Sequence, residues 1–251
     1  MNMSIIAGAR LRERPFEYAA NGVTVVLKAG RGAGVTGQVD GDNSGKIYTA
    51  VNETQLRDMD VDTDDFTSVC TTLVTDMSFI FSSATSFNQP INNWDVSNVN
   101  NMIYMFSSAT SFDQPLDNWN VSNVTNMGYI FANATAFNQP LNDWDVSSFS
   151  QMNGIFASAT AFNQPLNDWD VSNVTHMGSM FKDASSFDQP LDNWDVSSLT
   201  SIGNMFFRAS SFNQDLSGWC VTNIASEPPQ FDTDADAWVL ANSRPIWGTC
   251  P

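Results

Sequence analysis

Histidine occurs once in these 251 residues, cysteine three times, and lysine and arginine together only ten times. Each scarcity removes a class of function. No zinc-spaced cluster, Cys–His pair or Ser-His-Asp set stands out. His176 falls between Thr175 and Met177, where Asn101 and Asn126 stand in other repeats, and reads as a surface substitution. Ten basic residues against 27 acidic ones leave a net charge of -17. Such a surface repels nucleic-acid phosphate and anionic lipid, and favours basic protein partners or metal cations. No apolar run approaches the roughly 18 residues of a membrane span. Ile5-Ile6-Ala7 is too brief for a secretory h-region, so neither a signal peptide nor a transmembrane segment is expected.

The chain is dominated by one repeat, without insertion or deletion and without glutamate. Trp94, Trp119, Trp144, Trp169, Trp194 and Trp219 mark one column at a spacing of 25 residues. Phe81, Phe106, Phe131, Phe156, Phe181 and Phe206 mark a second, and Phe87 to Phe212 a third. A fixed period of this size signals a solenoid. Within each unit, residues such as Val99, Met102, Met105, Phe106 and Ala109 recur at intervals of three and four. This spacing predicts a short helix, with Ser97, Ser122, Ser147, Ser172 or Ser197 as its N-cap. Pro115 and its equivalents lie in a turn. Asn118–Val121 then reads as a short strand with Trp119 and Val121 inward.

The expected organisation is four-part. Residues 1–51 form an N-terminal β-hairpin-like segment and tail, with strands at Gly22–Leu27 and Lys46–Val51. Gly30 to Gly34 lacks the Lys-Ser/Thr ending of a phosphate loop and is read as a hairpin connection. Residues 52–76 are a degenerate capping repeat, in which Leu56, Phe66, Val69 and Val74 keep the apolar columns. Residues 77–221 are the regular repeats and 222–251 a C-terminal cap. Cys220 and Cys250 flank that cap; a bridge between them closes a loop of about 30 residues and implies an oxidising compartment. Reduced thiols are the alternative. Cys70 is left as a buried thiol.

The unit Val-Thr-Asn-Met-x-x-Ile/Met-Phe-x-x-Ala-x-x-Phe-Asn-Gln-Pro-Leu-x-x-Trp-Asp-Val-Ser-Asn resembles the BspA-like family of surface leucine-rich-repeat proteins. The resemblance spans Asn52 to Pro251. It implies an α/β repeat solenoid of leucine-rich-repeat type, with one short parallel strand and one short helix per 25-residue coil. It also implies adhesion or partner binding at a cell surface or outside the cell, rather than catalysis. The alternative is a structural scaffold subunit of a larger assembly, algal or protist and membrane-associated.

In-register stacking sets equivalent residues about 4.8 Å apart. Asp143, Asp145, Asp168 and Asp170 then form a patch of four carboxylates on two adjacent strands. It suits a basic partner or a hard cation such as Ca²⁺; a solvated polar face is the simpler reading. No other cofactor is expected, and no enzyme, because a regular ladder gives no carboxyl group an environment unlike its neighbours. The Gln89 to Gln214 column is expected to form an amide ladder. The threonine column Thr85, Thr110, Thr135 and Thr160 decays to Ser185 and Ser210. Sequons at Asn52, Asn120, Asn123, Asn133 and Asn173 arise from the repeat itself.

Overall fold

The computed structural model describes residues 14–239 and 243–251. Its N-terminal part is a small β-structure. Strands β1 (Phe16–Tyr18) and β2 (Val25–Leu27) pair antiparallel, with Phe16 opposite Leu27. Asn21 shapes the connection by accepting from the backbone N–H groups of Val23 and Thr24. Strands β3 (Thr36–Gly37) and β4 (Tyr48–Ala50) are antiparallel, and β4 runs parallel to β5 (Val69–Cys70). Phe16, Val25, Val39, Tyr48, Ala50 and Cys70 form a separate small core. The two expected strands are therefore present but shorter, at β2 and β4.

Between β4 and β5 lies α1 (Glu53–Arg57), opened by a capping box in which Asn52 and Gln55 bond reciprocally. Leu56, Phe66, Val69 and Val74 are all buried. Arg57 ends the helix and spans to the first repeat. Its guanidinium donates to the carbonyl oxygens of Ser78 (2.7 Å) and Asp76 (3.3 Å).

From Met77 onward, no helix or strand forms among the described residues. The segment expected to be helical is a run of consecutive turns. The N–H groups of Ile80, Ser82 and Ala84 close turns onto Met77, Phe79 and Phe81. The alternate N–H groups, those of Met77, Phe79, Phe81 and Ser83, instead donate to Asn101, Ile103, Met105 and Ser107 of the next unit, at 2.7–3.1 Å. The pattern recurs unit by unit, so every backbone donor from 79 to 84 is satisfied. Bridges such as Asn101↔Asn126 and His176↔Ser201 are parallel.

The reason is spatial. Segments hydrogen-bonded side by side lie about 5 Å apart, whereas a helix with its side chains needs about 10 Å. Two positions per unit take left-handed backbone, as at Phe79 (φ 61°) and Ser83 (φ 64°), then Tyr104 (55°) and Ser108 (61°). The expected strand at Asn118–Val121 and its equivalents is absent too. Unit-to-unit backbone pairing runs along the Met–Phe segment instead.

The core fills the inside of the stack. The six repeat tryptophans are at most 4% exposed, and each indole N–H donates to a carbonyl of the preceding unit, as Trp144 does to Leu116 at 3.2 Å. Equivalent phenylalanines stack unit on unit: Phe112 on Phe137 at 6.0 Å and 2°, Phe106 on Phe131 at 5.6 Å and 8°. Beyond Trp219 the cap continues the ladder, with Asn204, Phe206 and Arg208 donating to Pro229, Phe231 and Thr233. Pro229 takes part as acceptor, the one role proline retains. Cys220 is bridged to Cys250, and Cys70 is free and buried.

Candidate binding surfaces

The four singled-out aspartates lie on neighbouring units, all exposed. The carboxylates of Asp145, Asp168 and Asp170 are turned onto their own chain. Asp145 accepts from the N–H and hydroxyl of Ser147 at 3.1 and 2.6 Å, and Asp170 does the same with Ser172. Asp168 accepts from the Asn142 amide. The serines expected to cap helices are thus donors to the preceding Asp or Asn, closing a tight Asx turn. Among the described residues, no group of three or more His, Cys, Asp or Glu side chains is placed to hold a metal ion. Hydrogen bonds from Ser172, hydroxyl first and backbone second, hold Asp170 below the ordinary aspartate value; Ser197 does so for Asp195.

One member of this column departs from the rest. Asp95 is buried, because the N-terminal β-structure covers it, with Val25 donating to the Asn93 carbonyl at 2.9 Å. The glutamine column is also not a simple amide ladder. Gln139 and Gln164 donate to Asp113 and Asn138 of the preceding unit, and those oxygens also accept the backbone N–H of Asn138 and Asn163. Thr110, Thr135 and Thr160 donate back to the previous threonine carbonyl. His176 shares a 2.8 Å hydrogen bond with the Thr175 hydroxyl. Asn52, Asn120, Asn123 and Asn173 of the sequons all use their side chains in structural hydrogen bonds.

Residues 49–165 and 141–238 match the family described as "Mycoplasma protein of unknown function, DUF285", together most of the chain. The chain belongs to that family. No curated protein and no solved structure matches it. Among the described residues, no helix is long and apolar enough to cross a membrane.

A second surface of the DUF285 repeats went unread in the sequence. From Ser97 to Phe112, Ser122 to Phe137 and Ser147 to Phe162 there is no Asp, Glu, Lys, Arg or His. These stretches contain the turn ladder, so over these three units that face of the stack is uncharged, with Asp76 before them and Lys182, Asp183 and Arg208 after them. Along it, Phe79, Tyr104 and Tyr129 stack at 5.1 and 5.0 Å. All three sit at left-handed positions, which disfavour a bulky side chain by about 1–2 kcal/mol. The next unit has Gly154 there, and a Cβ on it would lie 2.1 Å from the Tyr129 ring. Tyr129 therefore lies over Gly154 and ends the row. The signal was available: Gly, Ser and Asn share this column with the aromatics, and those small residues mark left-handed turns.

Proposed function

We infer that this chain is a non-catalytic binding module, a repeat solenoid of BspA-like character that recognises a protein partner at a cell surface or outside the cell. The observation that carries the reading is the exposed aspartate column held in place by Asx turns on a stack whose units are hydrogen-bonded to one another. Such a surface is rigid, extended and of one charge sign, and repeat stacks use surfaces of this kind for binding. A basic protein segment is the complementary partner. The Cys220–Cys250 bridge supports an oxidising compartment.

The same rigidity favours a second reading, a scaffold subunit of a larger assembly. A module binds its partner when isolated, whereas a subunit is recovered at fixed stoichiometry. Cross-linking in the source cell, followed by mass spectrometry, identifies the partner and its ratio. Affinity is then compared for the parent and the variant Asp143→Asn, Asp145→Asn, Asp168→Asn, Asp170→Asn. Asn120 already makes the Asx turn with Ser122, so the change removes charge and keeps shape. The variant should lose affinity by about tenfold or more, and added salt should weaken the parent. Equal affinity for both proteins at all salt concentrations rules the aspartate face out.

A further inference from the structure

The uncharged ladder face has its own electrostatic logic. Between Lys46 and Arg244 the chain has only three basic residues other than histidine, Arg57, Lys182 and Arg208. In the 25-residue register all three fall in two adjacent columns, and Lys182 and Arg208 lie on this face. The first runs Arg57, Ser82, Ser107, Ala132, Ala157, Lys182, Phe207; the second runs Asp58, Ser83, Ser108, Asn133, Ser158, Asp183, Arg208. At the N-terminal end Arg57 belongs to α1 and is paired with Asp76; at the C-terminal end of the uncharged middle, Lys182 in the first column is followed by Asp183 in the second. Lys182 Nζ lies 4.0 Å from Asp183 and 5.7 Å from the Phe207 ring centroid, where Arg208 also sits at 4.7 Å.

We propose that this face is where a second copy of the chain docks, side by side and in the same direction. Two copies carrying -17 each repel wherever aspartate columns meet. The ladder face is the long surface of the repeats on which they can approach without that penalty. A two-fold axis running along the stack between the two columns sets each residue of the first column opposite its neighbour from the second. Lys182 then faces Asp183, and Phe207 faces Arg208, each pairing made twice as closed two-fold symmetry requires. From Ser82 and Ser83 to Ala157 and Ser158 the opposed residues are Ser, Ala and Asn. Phe79, 53% exposed, flanks the axis and covers the Thr85–Ser86 side of the other copy. Tyrosine, serine and asparagine on a rigid frame form contact surfaces with little conformational entropy to lose. This interface is independent of the aspartate face assigned to a basic partner.

Sedimentation equilibrium of the full chain tests the proposal. The parent should show a monomer–dimer equilibrium. Ser108→Asp with Asn133→Asp puts carboxylates beside the axis, in the column and left-handed geometry that Asp183 (φ 56°) already occupies. It should weaken the dimer by about 100-fold, with an unchanged thermal melt. Lys182→Asp alone should also weaken it, and Lys182→Asp with Asp183→Lys should restore it, because the swap preserves the cross-match. Neutralising Asp145 and Asp170 should leave the dimer intact. A parent that stays monomeric up to millimolar concentration overturns the proposal. So does a dimer indifferent to the Ser108/Asn133 carboxylates, or a charge swap that fails to restore what the single change lost.

Discussion

The interior of the stack and its two ends solve the same packing problem in opposite ways. In the interior, rings of successive units lie nearly parallel, as Phe137 on Phe162 (6°) and Phe187 on Phe212 (3°) do. At the ends the rings turn. Phe231 meets Phe206 at 87° and Trp238 meets Phe212 at 85°, while Phe66 meets Phe87 at 80°. Offset stacking and edge-to-face contact are both favourable for aromatic pairs, but only the first can be continued by another copy of the same unit. The backbone follows suit. Interior units exchange N–H···O bonds, whereas at the N-terminal end the Arg57 side chain occupies the carbonyls of Asp76 and Ser78, and α1 keeps its own N–H groups busy. Repetition makes the stack; departure from the repeat stops it. An unclosed ladder edge would invite pairing with another chain.

The largest test of this contrast is Trp144→Ala. It removes an interior ring with its hydrogen bond to Leu116, and should lower stability by about 3–5 kcal/mol in denaturant titration. The same change at Trp238 should loosen the C-terminal cap before the stack melts, giving a broader transition. Next, replacing Cys220 and Cys250 with serine should lower stability by about 3 kcal/mol, and hydrogen exchange should place the loss after Trp219. Equal loss of protection at Trp144 would mean that the cap is not a separate unit.

Smaller again is Arg57→Ala. It frees the ladder carbonyls at the N-terminal end and should cost about 1 kcal/mol, the side chain being partly exposed. Its clearer sign should be aggregation on light scattering, absent from an interior change of similar cost. Smallest is Ser172→Ala. Asp170 has a folded pKa below its ordinary value of 3.8, so its stabilisation is present above that value and is lost as pH falls through the folded pKa. The urea midpoints of parent and variant should therefore differ at neutral pH and converge in acid. A gap that widened in acid would mean that the Ser172 bonds favour the protonated carboxyl.

The tryptophan and phenylalanine columns were legible because burial demands the same side chain at the same place in every unit. The secondary structure was not, since a helix and a chain of turns both bring apolar residues inward every three or four positions. What separates them is the acceptor of each alternate N–H, which for Phe81 is the Met105 carbonyl, 24 residues ahead in the next unit. No local pattern reports it. The aspartates drew attention through their charge, and their Asx turns with the following serine were readable in the Asp-Val-Ser order. The uncharged face was written as an absence and was correspondingly easy to pass over.

The column that follows the inner phenylalanines has a chemical consequence over time. Asp113 and Asn138 use the same oxygen to hold the next unit, each binding one backbone N–H and one glutamine amide. Hydrolysis of the Asn138 or Asn163 amide would keep that oxygen and both of its bonds. An ageing molecule would drift towards lower isoelectric point with its form intact, and a charge-resolved gel would record its history where a melting curve would not.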